Sequence, residues 1–173
     1  MNPKTHGDHP VSRKTDEQNV DYPKNQYRNI HYSEVLMKFV TVKNVRSLFA
    51  HLETGHPEKF FRHVATDVCW TVMGTHPLAG TYHNRETFVR NTFGRLNRVL
   101  RDGVRLRVTN VIVSGEIAAV ELEALSIALN GVPFNNRYCW VCRFEHEKIV
   151  EVRAYLDSAL VKKLLDENEP EAQ

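Results

Sequence analysis

The chain's 173 residues suffice for one domain with a single substantial core. With 42% hydrophobic and 25% charged residues, and 23 basic side chains against 21 acidic ones, it has no basic footprint for nucleic acid. No apolar run approaches the ~20 residues of a membrane helix, and the polar start Met1-Asn2-Pro3-Lys4 carries no signal-peptide core, so a cytoplasmic protein with no membrane partner is expected.

In chain order, residues 1–32 are rich in Asn, Lys, Asp, His and Pro and predict a flexible polar tail. Ser33 precedes a helical pattern in which Val35, Leu36, Phe39, Val42, Val45, Leu48, Phe49 and Leu52 recur at three-to-four spacing, with Gly55 as a stop. Pro57 suits the first turn of a shorter helix that buries Phe60, Phe61 and Val64. A strand over 67–73 leads into the bend Gly74 to Tyr82, the predicted mouth of a ligand pocket. Asn84 is placed to cap a helix reaching about Leu100, with Phe88, Val89, Phe93, Leu96 and Leu100 on its apolar stripe. The period then changes to two. Strands are predicted over 104–114, 117–129, 137–144 and 149–157, joined by turns at Ser114-Gly115-Glu116, Asn130-Gly131 and 145–148. A last helix from Ser158 to about Asp166 precedes an acidic tail, 167–173. Helices followed by a meander of long strands predict one α+β domain over 33–166, a cone-shaped curved antiparallel sheet closed by three helices.

Three cysteines, Cys69, Cys139 and Cys142, suit a reducing compartment. Cys139 and Cys142 have the spacing of a metal pair, but their odd separation on a strand sends them to opposite faces, so no metal site is expected.

Period-two alternation assigns the inner faces. Trp70 and Val72 point inward on the first strand, Tyr138, Trp140, Cys142 and Phe144 on the fourth, and Val150, Val152, Ala154 and Leu156 on the last. The same reading turns Val104, Leu106, Val108, Asn110 and Ile112 inward and leaves Val111, Val113, Cys139 and Val141 on an outer face apolar enough for a homodimer. The strand from Ile117 is ambiguous. A two-residue hairpin loop, Gly115-Glu116 or Ser114-Gly115, places Glu121 and Glu123 on the face of Leu106, Val108 and Asn110. A three-residue loop places Glu123 opposite Arg107 on the outside.

The run Ala65 to Trp70, the stretch Gly74-Thr75-His76-Pro77-Leu78-Ala79-Gly80-Thr81-Tyr82 and the ending Lys148 to Asp157 together resemble the polyketide-cyclase-like (SnoaL-like) branch of the nuclear transport factor 2-like superfamily. The resemblance covers roughly residues 36–165 and implies an α+β barrel, commonly dimeric, whose relatives span isomerases, cyclases, dehydratases, epoxide hydrolases and binding modules. In ketosteroid isomerases the Asp base aligns with Val72, and the Tyr and Asp donors align with Leu48 and Trp140, so that mechanism is not carried over. In limonene-epoxide-hydrolase-like proteins the first Asp aligns with Ala154, the Tyr and Asn with Trp70 and Val72, and the Arg and second Asp with Glu121 and Glu123. Those positions face the pocket in that family, and the resemblance therefore implies that both glutamates point inward.

Two carboxylates two residues apart on one strand face lie roughly 7 Å apart at their α-carbons. In an apolar cavity walled by Trp70, Trp140 and Leu125, each would disfavour ionisation of the other, leaving one as an acid and one as a base. Glu121, Glu123 and His76 are the expected catalytic residues. Trp70, Val72, Tyr82, Phe88, Asn110, Tyr138, Trp140, Ala154 and Leu156 are the expected substrate-binding residues, with Tyr138 and Asn110 as donors to an enolate oxygen. The expected function is cofactor-free cyclase or isomerase chemistry on a small apolar carbonyl compound. The alternative is a ligand-binding or dimeric scaffold module.

Overall fold

Three side chains set the starts of the helices by accepting backbone N–H groups that a helix leaves free at its first turn. Thr41 accepts from Asn44 at 3.1 Å and opens α1 (Val42–Glu53). Asn84 accepts from Thr87 at 2.7 Å and opens α3 (Arg85–Asn91). Asp157 accepts from Ala159 and Leu160 and opens α5 (Ser158–Asn168). The remaining helices are α2 (Pro57–Phe61), with its proline in the first turn, and α4 (Phe93–Leu96). The computed structural model describes residues 40–170. The expected tail 1–32 and the early helical positions Val35, Leu36 and Phe39 lie outside the described residues. The expected acidic tail is partly helix, since α5 continues through Glu167 and Asn168.

The expected stripe of α1 is buried at Val45, Leu48, Phe49 and Leu52, whereas Val42 is exposed. The single helix expected up to Leu100 is broken. Thr92 has φ −114° and ψ −77°, and its hydroxyl donates to the Phe88 carbonyl at 2.7 Å, so α3 ends there and α4 resumes at a new angle. Among the described residues no helix is long and apolar enough to cross a membrane.

The sheet contains β1 (Val64–Val72), β2 (Gly80–Tyr82), β3 (Leu106–Ser114), β4 (Ile117–Ala124), β7 (Arg137–Glu145) and β8 (Lys148–Leu156), in the order β2-β1-β8-β7-β4-β3. Between β4 and β7 a separate two-stranded ladder pairs β5 (Ser126–Ile127) with β6 (Pro133–Phe134). The antiparallel meander runs β3-β4-β7-β8, and β1 joins β8 in parallel. The outer strands β2 and β3 do not pair with each other, so the α+β class holds but the sheet is curved and open, not closed into a barrel. The strand expected to run from 117 to 129 stops at Ala124. Leu125 then donates its N–H to the Arg105 carbonyl, and Ser126 accepts from the Arg105 N–H while donating to the Gly103 carbonyl.

Two bulges decide which side chains face the core. The hairpin loop is the two-residue Gly115-Glu116, pairing Ser114 with Ile117 and Asn110 with Glu121. Thr109 is then left without a pairing position on β4, because Val108 pairs with Leu122. One extra residue on one strand reverses the alternation beyond it. Leu106 and Val108 therefore face the core together with Val111 and Val113, while Asn110 and Ile112 face outward, Ile112 being 59% exposed. The expected inward positions of Asn110 and Ile112, and the outward positions of Val111 and Val113, are corrected accordingly. A second bulge at Val150 lets Phe144 pair with Ile149, so Ile149 takes the buried place expected for Val150. Beyond it the expected alternation holds at Val152 and Ala154.

Candidate functional site

The core facing the helices is aromatic. Trp70 from β1 stacks on Phe88 of α3 with ring centroids 3.9 Å apart and planes 15° apart, and meets Trp140 of β7 edge to face at 5.1 Å. Phe61 of α2 meets Phe93 of α4 at 5.1 Å and 89°. Such geometries add to the area term because the ring edges are positive and the faces negative.

These rings enclose a small apolar chamber of about 50 Å³. Seven of the nine expected binding residues line it: Trp70, Val72, Phe88, Tyr138, Trp140, Ala154 and Leu156. His76 and Leu78 of the bend also line it, as do Thr92 at the α3–α4 break and Val161 of α5; the sequence pattern did not point to Thr92 and Val161, which reach the chamber only through tertiary packing. A cavity of this size admits a reacting group or a few waters, not a whole metabolite.

Polar groups at the chamber are few. The indole N–H groups of Trp70 and Trp140 are buried without a hydrogen-bond partner among the described residues. Such orphaned donors are rare in folded proteins and each costs about 1–3 kcal/mol unless something satisfies it. The Tyr138 phenol is held well above its ordinary pKa by burial, so it stays protonated, a donor at neutral pH.

His76 is buried within the bend, 4% exposed. Its Nδ1 accepts the Leu78 N–H at 3.2 Å, which leaves the proton on Nε2 to be donated to the Met73 carbonyl, also at 3.2 Å. Burial lowers its pKa, with the Met73 bond opposing in part. Both nitrogens are committed to backbone, so His76 shapes the bend and has no free lone pair for base catalysis. Tyr82 stands beside the chamber: its hydroxyl donates to the Leu78 carbonyl at 2.9 Å, and its ring packs on Phe88. Gly74 allows the bend to close. It has φ +114°, and a Cβ there would lie 2.1 Å from the Ser158 hydroxyl oxygen.

The two glutamates are not in the chamber. Ala118, Val120, Leu122 and Ala124 fill the inner face of β4, and Glu121 and Glu123 lie on the outer face. Glu123 accepts from Arg107 at 2.8 Å and has Arg137 at 4.0 Å, and these cations hold its carboxyl below the usual range. The Arg107–Glu123 pairing expected only of a three-residue loop is thus produced by a two-residue loop plus the Thr109 bulge. Asn110, paired with Glu121, is also outside, its Oδ1 accepting from the Val111 N–H. Leu125 is exposed and does not wall the chamber. Cys139 and Cys142 point to opposite faces, Cys142 fully buried and Cys139 half-buried on the outside.

A family model described as a SnoaL-like domain matches residues 45–152, more than half of the chain. The chain belongs to the SnoaL-like domain family. Among relatives of this SnoaL-like chain, dimerizing cyclase phiC from a fungal species (strain ATCC 74256) is 29% identical over 136 residues, covering 76% of this chain and 60% of that protein. Dimerizing cyclase tstC from Talaromyces stipitatus is 28% identical over 116 residues, covering 65% and 52%. The chain thus spans between half and three fifths of the length of these relatives. An NTF2-like protein from Burkholderia thailandensis superposes with a TM-score of 0.61 at 26% identity, covering 70% of this chain and 93% of that structure. This SnoaL-like fold is therefore that of the NTF2-like superfamily.

One polar residue that the sequence pattern gave no reason to choose stabilises the end of the site. Asn136 is fully buried, donates to the Asp157 carbonyl and accepts the Asp157 N–H, tying the start of β7 to the start of α5.

Proposed function

We propose that this SnoaL-like chain is a cofactor-free cyclase-type enzyme acting on a small, largely apolar carbonyl compound. The observation that carries the reading is one apolar chamber lined by Trp70, Trp140 and Tyr138, with both indole N–H groups buried without a hydrogen-bond partner among the described residues and a Tyr138 phenol that burial keeps protonated. In a ring closure, a readily enolised carbon attacks a carbonyl carbon and the carbonyl oxygen gathers negative charge. Fixed donors in a water-poor site stabilise that charge in the transition state more than they stabilise the neutral carbonyl. The relatives named dimerizing cyclases support a cyclase role, and the small chamber supports admission of the reacting carbonyl ahead of the rest of the molecule.

The roles expected of Glu121 and Glu123 do not enter this reading, since both lie across the sheet from the chamber. A homodimer through the outer face belongs to the proposal, with Ile112, Val141 and Tyr155 as its apolar contacts in place of Val111 and Val113. One observation favours a second reading, a binding module: with both His76 nitrogens committed, the chamber has no free base among the described residues.

Tyr138→Phe separates the two. On the enzyme reading, turnover of an enolisable carbonyl compound falls about 100-fold or more in this variant, while Glu121→Gln and Glu123→Gln keep wild-type turnover. Equal activity of Tyr138→Phe and wild type refutes the donor role. Ligand binding without turnover in the wild type establishes the module.

A further inference from the structure

A second concavity lies on the other side of the Phe61–Phe93 pair from the chamber. It is an open groove of about 690 Å³ between α2 and the α3–α4 pair, within the ~300–1,000 Å³ range of small-molecule sites. Its floor is apolar, formed by Phe61, Val89, Phe93 and Gly94, and Phe93 is shared with the chamber wall.

The rim is where this groove differs from an ordinary helix crevice. Arg85 is half-buried, and its Nη1 donates to the Phe61 and Val64 carbonyls at 2.9 and 2.8 Å, which fixes the guanidinium while leaving Nε and Nη2 to donate. Among the described residues no carboxylate lies within ion-pair distance of Arg85 or of Arg62. Of the two rim glutamates, Glu58 lies 3.4 Å from His56, and Glu86 lies 3.9 Å from Arg90, which also lines the groove. A fixed, half-desolvated guanidinium beside an aromatic floor matches a planar anion joined to an apolar body. The nearby Glu58 and Glu86 disfavour a more highly charged anion such as a phosphate dianion.

We propose that this groove binds an amphipathic carboxylate, its anionic head on Arg85 and Arg62 and its apolar body over Phe61, Val89 and Gly94. The site is independent of the ring-closing chemistry assigned to the chamber, and its test is a binding measurement on the full chain.

The probe is dansylaminoundecanoic acid, followed by fluorescence, with its methyl ester as the neutral control. The acid binds about ten-fold or more tightly than the ester, and added salt narrows the gap. Arg62→Gln, at an exposed side chain with no carboxylate partner among the described residues, weakens the acid several-fold and leaves the ester unchanged. Gly94→Leu weakens both about ten-fold. A Cβ at Gly94 meets only the Val89 carbonyl oxygen at 3.4 Å, so the added side chain occupies groove space without displacing core. Because Arg85 also holds two backbone carbonyls, Arg62→Gln and Gly94→Leu carry the test, with unchanged melting temperatures as their folding control. Equal affinity for acid and ester overturns the proposal, as does unaltered binding in Gly94→Leu. Loss of probe binding in Ala154→Met, which fills the chamber and not the groove, also overturns it.

Discussion

Arg95 joins three separate parts of the roof over the chamber. Its Nε and Nη2 donate to the two carboxylate oxygens of Glu169 at 2.5 and 2.6 Å, and its Nη1 reaches the Pro77 carbonyl at 3.4 Å. Breaking this fork should loosen the end of α5 and the bend together. Two unit charges at about 4 Å attract by about 4 kcal/mol at an effective dielectric of 20 and by about 1 kcal/mol in water. The side chains are 31% and 26% exposed, which places the pair between those limits. Ordering two long side chains then offsets part of the gain, leaving a coupling of about 1–2 kcal/mol. The assay is a double-mutant cycle of Arg95→Met and Glu169→Gln by denaturant unfolding, each single variant melting about 3–6 °C below wild type. Hydrogen bonding to Arg95 lowers the Glu169 pKa. The stabilisation is therefore fully present above the ordinary carboxylate range and is lost as pH falls through the lowered pKa. A coupling below about 0.3 kcal/mol at pH 7, or one that does not weaken as pH falls below the ordinary carboxylate range, would refute the reasoning.

Gly74→Ala should destabilise the fold by about 2 kcal/mol or more, since it combines a left-handed φ with a clash against Ser158. Ser158→Gly should recover the steric part but not the conformational part, as read by chemical denaturation of the single and double variants. For His76, burial depresses the folded-state pKa below 6.5, so its stabilising effect is present above that value and is lost as pH falls and the unfolded chain alone takes up the proton. Wild-type stability should therefore decline as pH falls below about 6.5 more steeply than that of His76→Gln. Parallel pH profiles for the two proteins would remove His76 as the cause.

What the chain determined by itself is whatever depends on neighbours in sequence. Thr41, Asn84 and Asp157 cap helices because their side chains reach N–H groups two or three residues on, and the Asn84 cap is legible in the amino-acid order alone. The apolar stripe of α1, the period-two strands, the Gly74 to Tyr82 bend and the aromatic lining at Trp70, Phe88, Tyr138 and Trp140 follow from the same short-range periodicity. The tertiary structure alone decided three things. The Thr109 and Val150 bulges reverse the alternation within a strand, and neither residue type announces a bulge, because a bulge is set by the register of the partner strand. That is why Glu121 and Glu123, left ambiguous by alternation and turned inward only by resemblance, stand outside on the face of Arg107 and Arg137. The His76 ring is locked by Met73 and Leu78 in a bend whose closure depends on Gly74 meeting Ser158 from the far end of the chain. The arginine-rimmed groove forms only where α2 packs beside α3 and α4, and the charge left uncompensated there depends on which carboxylates the fold brings within reach. Faces and caps are local properties of the sequence. Registers, closures and unpaired charges belong to the assembled chain.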